Sequence, residues 1–472
     1  MTGFDDTVFA PATVPGTGAI TVIRVSGDDA FSLVDKLFHS SSGSVAQAKG
    51  YSILYGTLLD PETGSQLDDV LVGVFRAPHS YTGEDCVEIS CHASPYVASR
   101  LMELLSSLGA RSAERVEFTR IAFLNGKMDL AQAEAVADLI SSGSEAAHRI
   151  AVNQLKGGYS AELANIRASL VEITSLLELE LDFSEEDVEF ADRSRLCSLV
   201  ESAKESCDRL AGSFAVGNAI KNGVPVVISG RPNVGKSTLL NALVGEDRAI
   251  VSDIPGTTRD SIDELIRIDG IDFRITDTAG LRESDETIES LGISRALRLL
   301  SNASIVLAMV DATASDQESI EFLSSLLEKV DPEKQKLLVL VNKIDCNKNV
   351  KAINKFVLSL DNKVDLLCIS AARGEGLAEL KSYLSGCVKQ QISRFNAASD
   401  SSILVTNERH RAALQAASDS LARAMVALRS GIASDLLSQD LRAAIHHLGT
   451  ITGSITTDEI LGTIFSRFCI GK

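Results

Sequence analysis

Residues 230–237 read Gly230-Arg231-Pro232-Asn233-Val234-Gly235-Lys236-Ser237, and this octet constrains the fold more than any other stretch of the chain. Its glycines let backbone N–H groups turn inward around an anion. That geometry requires a strand that delivers the chain to the loop and a helix that leaves it with its N-terminus facing the phosphates. The apolar run Pro225–Ser229 predicts the strand, and Ser237–Leu243 predicts the helix. In that setting Lys236 places a point charge between the β- and γ-phosphates. The Ser237 hydroxyl, next to Thr238, is the expected Mg²⁺ ligand.

Further pieces follow in order. The strand-like Phe273–Thr276 runs into Asp277-Thr278-Ala279-Gly280. A carboxylate there can hold Mg²⁺ through water, and the Gly280 N–H can meet the γ-phosphate. Thr257-Thr258 offers a second Mg²⁺ ligand, Thr258, from a segment of the kind that a triphosphate orders. The apolar run Leu337–Val341 leads into Asn342-Lys343-Ile344-Asp345, and Leu366–Ile369 leads into Ser370-Ala371-Ala372. The Asp345 carboxylate can accept from guanine N1–H and the 2-amino group. Adenine has neither donor there, and binding it would strand a buried charge, so discrimination of ~10⁴ or more is expected. Asn342 can tie neighbouring loops, the Lys343 stem can cover the base, and a backbone N–H after Ser370 can meet guanine O6. The set names guanosine triphosphate or diphosphate as the ligand.

Hydrolysis needs an oriented water. Leu281 stands directly after Asp277–Gly280, where many small GTPases carry glutamine, and it cannot orient one. Help must come from elsewhere. The acidic stretch Arg282–Glu289 supplies carboxylates, and Arg259 and Arg282 lie near the switch segments. A monovalent cation could add positive charge in the transition state, and the Asn233 side-chain carbonyl suits one.

At 472 residues with 45% hydrophobic content, the chain is expected to form three units rather than one core. The net charge of −19 argues against broad, nonspecific nucleic-acid binding, so any RNA must be met by a local groove or a second protein. Eight scattered cysteines without a C-x-x-C pair and seven histidines without ligand spacing argue against zinc and fit a reducing compartment. The acidic N-terminus reads as no signal peptide, and runs such as Ile305–Val310 are too short to cross a bilayer; a cytoplasmic protein with no membrane association is expected.

Along the chain, residues 1–124 alternate strands (Ala19–Val25, Tyr51–Leu59, Val70–Phe75, Cys86–Ser90) with helices (Asp28–Phe38, Pro95–Leu108), an α+β unit. Residues 125–217 turn helical, with Met128–Ser141 and Ala161–Leu181 at helical spacing. The nucleotide segment occupies 218–382. Residues 383–472 are helical again, over Asn407–Leu428 and Leu436–Leu448. Either the nucleotide segment is inserted into one helical domain or two separate bundles flank it; compactness of the short C-terminal part favours the first.

Over its whole length the chain resembles the MnmE (TrmE) family of tRNA modification GTPases. Besides the nucleotide motifs, the resemblance rests on Ile23-Arg24-Val25-Ser26-Gly27, Tyr81-Thr82-Gly83-Glu84-Asp85 and Phe123-Leu124-Asn125-Gly126-Lys127. It also rests on Asp129–Ala135 and the terminus Ile464–Lys472, which contains Cys469-Ile470-Gly471-Lys472. It implies a multidomain α/β and α protein: an N-terminal α+β folate-binding and dimerisation domain, a helical domain and an inserted Ras-like G domain. It implies a homodimer that works with a flavin-dependent MnmG (GidA) family partner. Together they install a carboxymethylaminomethyl-type group at C5 of the wobble uridine of certain tRNAs, using a tetrahydrofolate one-carbon unit (5-formyl or methylene). G domains of the family pair in a K⁺-dependent way.

Carried over residue by residue, the resemblance makes Asn233 the K⁺ ligand, aided by Ser252, Ile254 and Thr257 of the loop Ser252-Asp253-Ile254-Pro255-Gly256-Thr257-Thr258. Glu289 becomes the catalytic glutamate, Cys469 a cysteine needed for modification, and Arg24, Glu88, Lys127 and Lys472 the folate contacts. The chain departs from the family at His92-Ala93-Ser94 and Arg115-Val116-Glu117-Phe118, where glycines are usual, and at Ser454. A ribosome-binding regulatory GTPase and a folate enzyme with a merely regulatory G domain are the alternatives. The terminal motifs speak against the first of these.

Overall fold

The computed structural model describes residues 6–182, 193–247, 263–277, 297–332, 334–346, 350–360, 364–397, 403–430 and 434–455. The N-terminal part is built from β1 (Val8–Pro11), β2 (Ile20–Ser26), α1 (Ala30–Asp35), β3 (Phe38–His39), β4 (Ser52–Leu59), β5 (Gln66–Phe75), β6 (Cys86–His92), α2 (Pro95–Ser107), β7 (Arg111–Ser112) and α3 (Glu117–Leu124). Its strands form one sheet in the order β3-β4-β5-β6-β2-β1-β7. Alternation along the strands sends Ile23, Val25, Val70, Val72, Val74, Val87 and Ile89 to one face. That face packs on Phe31 and Val34 of α1 and Leu101 and Leu105 of α2. The other face carries Arg24 opposite Glu88 and Tyr55 opposite Leu71.

Strands β1, β3 and β7, too short for alternation to register, and helix α3 add to the expected elements. Helix α1 is shorter than the expected Asp28–Phe38, because Phe38 leaves it to pair with Leu58 as β3.

Next come α4 (Leu130–Ser141), α5 (Glu145–Leu155), α6 (Gly158–Asp182), α7 (Arg193–Gly212) and α8 (Phe214–Asn222). The nucleotide segment contains β8 (Val224–Gly230), α9 (Lys236–Asp247), β9 (Asp263–Ile268), β10 (Ile271–Asp277), β11 (Ile305–Asp311), α10 (Asp316–Leu327), β12 (Lys336–Asn342), α11 (Lys351–Leu358), β13 (Val364–Cys368) and α12 (Leu377–Ala397). Two helices close the described chain, α13 (Glu408–Ser430) and α14 (Ser434–Thr452).

The second sheet has the order β13-β12-β11-β8-β10-β9; every neighbouring pair is parallel except β9 with β10. Strands β8, β11 and β12 are almost continuously apolar because helices cover both faces. Val226, Ile228, Leu307, Met309 and Leu340 pack with Leu239 and Leu243 of α9 and Leu380 and Leu384 of α12. Val227, Val306, Ala308, Val339 and Val341 pack with Leu323 of α10 and Ile353 of α11.

Contacts divide the chain into two compact units, residues 1–140, 154–203 and 419–472 in one, 141–153 and 204–418 in the other. In the first, α6 packs along α14. Each buries a helical stripe, Ile166, Leu170, Ile173 and Leu177 on α6, and Leu441, Ala444, Leu448 and Ile451 on α14. In the second, the segment before β8 meets the one after α12: the Val405 N–H donates to Ser213 Oγ at 2.9 Å. Helix α12 runs unbroken through residue 383. No helix among the described residues is long and apolar enough to cross a membrane.

Candidate functional site

Ligands of open parallel sheets bind beyond the carboxyl ends of the strands. There β8 ends at Gly230, β10 at Asp277, β11 at Asp311 and β12 at Asn342. Between β8 and α9 the loop 231–235 doubles back. Asn233 has φ 64° and Gly235 φ 101°, left-handed values that asparagine tolerates and glycine favours. A Cβ on Gly235 would also collide with Asn342 Nδ2. Lys236 is buried, and its ammonium donates to the Gly230 and Arg231 carbonyls, both at 2.9 Å. It thereby closes the loop into a ring. Asn233, Ser237 and Thr238 are exposed, with Ser237 in the first turn of α9.

The Asn342–Asp345 segment, expected to read the base, is fastened to this loop by two side chains. Asn342, 3% exposed, donates from Nδ2 to the Val234 carbonyl at 2.8 Å and accepts from the Ala371 N–H at 3.0 Å. Lys343, itself left-handed at φ 65°, donates to the Asn233 carbonyl at 2.9 Å and to Asp311 Oδ2 at 2.6 Å. Its ammonium therefore braces the phosphate loop. Asp311 was not singled out in the sequence, although it ends an apolar run as Asp277 and Asn342 do. Burial raises its pKa, but the bonds from Lys343 and Thr313 outweigh that and hold the carboxyl below its usual range.

Asp345 Oδ1 accepts from Ser370 Oγ at 2.7 Å, and that bond holds its carboxyl below the usual range. Ser370 is fully buried, Ala371 nearly so, and the Ser370 N–H is tied to the Glu375 carbonyl at 2.9 Å. Asn342, Lys343, Ile344, Asp345, Ser370, Ala371 and Ala372 thus stand beside Asn233–Thr238 in one assembly.

A second cluster lies on the open face of the N-terminal sheet. Arg24 Nε and Nη2 both donate to Glu88 Oε1, at 3.0 and 2.7 Å, across the β2–β6 pair. The guanidinium also sits 5.0 Å from the centre of the Tyr81 ring and 5.5 Å from that of Phe118. Behind Tyr81, Thr82 is buried and bonds Ser26 Oγ at 2.7 Å, while Ser26 Oγ donates to Glu84 at 2.9 Å. Burial pushes the Glu84 carboxyl up. Asn125 Nδ2 donates to the Thr82 carbonyl at 2.8 Å, and Lys127 Nζ to the Pro78 carbonyl at 2.8 Å. Segments 23–27, 81–85 and 123–127 converge, with Lys127 on the flank of the loop that carries Tyr81.

At the departure Arg115–Phe118, Val116 keeps the left-handed turn with φ 61°. Its side chain packs with Leu130 and Ala133.

Ser252, Asp253, Ile254, Pro255, Gly256, Thr257 and Thr258 lie outside the described residues. So do Thr278, Ala279, Gly280, Glu289, Cys469 and Lys472. Asp277 is described as the last residue of β10.

A family model for the MnmE helical domain matches residues 130–469, and one for the N-terminus of the GTP-binding protein TrmE matches residues 7–127. A tRNA modification GTPase MnmE of Bacteroides fragilis is 47% identical over 475 residues, covering 99% of this chain and 99% of that protein. The protein of the same name from Flavobacterium johnsoniae is 46% identical over 471 residues, again covering 99% of each. That from Cytophaga hutchinsonii is 45% identical over 472 residues, covering 100% of this chain and 99% of its own.

Proposed function

The chain belongs to the MnmE family of tRNA modification GTPases, and on that premise we propose that it is the GTP-hydrolysing component of a complex that modifies the wobble uridine of certain tRNAs. It binds GTP and GDP and hydrolyses GTP. The modification is a carboxymethylaminomethyl-type group at C5. A flavin-dependent MnmG-type partner and a tetrahydrofolate one-carbon donor take part, and the chain acts as a homodimer in the cytoplasm.

The observation that carries the guanine-nucleotide part of this reading is the double fastening of the base-reading segment to the phosphate loop, Asn342 to Val234 and Lys343 to Asn233. A site bolted together in this way presents Asp345 to the guanine edge while Lys236 and the loop N–H groups meet the phosphates. Ser237, exposed at the head of α9, suits a hard cation shared with the phosphates, with Thr258 and Asp277 completing it. Asn233 exposes a carboxamide oxygen at the loop tip, suited to K⁺ together with Ser252, Ile254 and Thr257. When bound, these cations supply positive charge to phosphate oxygens. Glu289 orients the attacking water, indirectly, in place of the glutamine that Leu281 lacks.

For the folate, Arg24 and Glu88 offer paired charges beside the Tyr81 and Phe118 rings, with Lys127 near. A carboxylate suits the amino edge of a pterin and cations suit a glutamate tail. Lys472, and Cys469 in a role tied to modification, join from the terminus.

The test is mass spectrometry of tRNA wobble nucleosides from cells lacking the chain. The modified nucleoside should vanish, return with the wild-type gene, and fail to return with Asp345→Asn or Arg24→Ala. Its persistence in the deletion strain refutes the proposal.

A further inference from the structure

Both oxygens of Asp345 already have partners of this chain. Oδ1 accepts from Ser370 Oγ at 2.7 Å. Oδ2 accepts from Cys346 Sγ at 3.5 Å and faces Arg373 Nε at 3.6 Å. Guanine needs the same carboxylate, through two N–H groups aimed at its two oxygens. The serine hydroxyl can share Oδ1 with the ring, because that carboxylate oxygen accepts a second donor on its other lone pair. A guanidinium brings a full charge and a directional donor, and a ring arriving at Oδ2 has to displace it or share with it.

Arg373 is held near by its own turn, with its N–H donating to Ser370 Oγ at 3.4 Å and to the Ser370 carbonyl at 3.2 Å. Its side chain is 62% exposed against 15% for Asp345. The arginine can therefore swing into water while the carboxylate stays. Ser370 and Arg373 thus have opposite effects on the same group: the serine fixes its orientation, and the arginine takes up its outer edge.

We propose that Arg373 competes with the guanine ring for the Asp345 carboxylate and so sets the affinity and release rate of guanine nucleotides. The proposal rests on the reading of Asp345 as the acceptor of guanine N1–H and the 2-amino group. Arg373 is largely exposed and the pair is screened by salt, so the effect is modest, about two- to fivefold in dissociation constant at low ionic strength.

The experiment measures binding of a ribose-labelled fluorescent GDP by stopped flow to the full-length wild type, Arg373→Ala, Asp345→Asn and the double variant. Salt is set at about 50 mM and about 500 mM, on either side of the screening range. Arg373→Ala should bind two- to fivefold more tightly at low salt, and the difference should close at high salt. GDP binding by Arg373→Ala that equals or falls below wild type at low salt overturns the proposal. Asp345→Asn should prefer xanthosine diphosphate, and the Arg373→Ala gain should disappear on that background. A gain that survives there overturns the competition while leaving the base reading intact. An Asp345→Asn variant that still prefers GDP removes the base reading, and the proposal with it.

Discussion

Removing the Asn342 side chain should cut the link between base and phosphate recognition. Asn342→Ala leaves two backbone groups without partners, the Val234 carbonyl and the Ala371 N–H, now met at 2.8 and 3.0 Å. Asn342, Val234 and Ala371 are all buried, at 3%, 6% and 4% exposure. Each orphaned buried group costs about 1–3 kcal/mol. Entry of water into the vacated space trims the sum, to about 2–4 kcal/mol for the pair. Global unfolding of a chain with two units is a poor reporter of a local loss. Hydrogen exchange of the peptide containing Ala371 reads it directly, because the affected donor is the exchanging group. Exchange there should quicken about tenfold or more, and GDP affinity measured by calorimetry should fall. Asn342→Asp separates the ties. It keeps an acceptor for Ala371, so that amide stays protected, but it sets a carboxylate against the Val234 carbonyl and also loses GDP affinity. Wild-type exchange at Ala371 in Asn342→Ala, or unchanged GDP binding in both variants, would refute the argument.

Lys343→Ala removes the cation between Asn233 and Asp311, leaving an underpaired carboxylate beside the phosphate loop; GDP affinity should drop about tenfold, and adding Asp311→Asn should recover part of it in the same titration. Glu117 is buried, and burial raises its pKa, but the bonds from Arg111 and the Glu114 N–H, with the nearby Arg120, outweigh that and hold the carboxyl low. Because its folded pKa is depressed, its contribution is present above the unfolded carboxylate range and is lost as pH falls through the lower, folded value. Thermal unfolding followed downward from neutral pH should show that acid limb, and Glu117→Gln should flatten it. Val116 carries a left-handed strain of about 1–2 kcal/mol, set against about 1.5–3 kcal/mol from its buried side chain. Val116→Gly should therefore lower stability in urea unfolding by only about 1 kcal/mol, and a loss above about 3 kcal/mol would mean that the turn is not strained.

The strand-loop-helix at Gly230–Ser237 and the apolar runs into Asn342 and Ser370 were legible because each is a local pattern: a β-run, then a polar residue at its end. What escaped was non-local. Asp311 ends such a run too, yet nothing near it in sequence announces that Lys343 reaches it. Arg373 follows the motif by a turn and meets Asp345 only because Ser370 folds back. Short strands such as Arg111–Ser112 exist through pairing with Val8 and Phe9, far away in the chain, and two residues carry no period. The convergence of segments 23–27, 81–85 and 123–127 was implied by resemblance but could not be computed from their spacing, since sheet order, not sequence order, brings them together.

The two ties from the base-reading segment land on consecutive residues, Lys343 on Asn233 and Asn342 on Val234. That placement has a mechanical consequence. Asn233 has the left-handed backbone, and its carbonyl is the one that Lys343 grips. A residue in that conformation with its carbonyl pinned has little freedom left except in its side chain, and that side chain is exposed. The loop can therefore offer a side-chain oxygen from a pinned backbone position, without using backbone motion to do so. The same pinning runs in reverse. Two hydrogen bonds, at 2.8 and 2.9 Å, tie the loop tip to the segment that carries Asp345. On the proposed reading, a change in phosphate occupancy should alter the grip on the base through these two contacts. The phosphate loop and the Asn342–Asp345 motif, about a hundred residues apart in sequence, are thus held side by side, as the proposed single site requires.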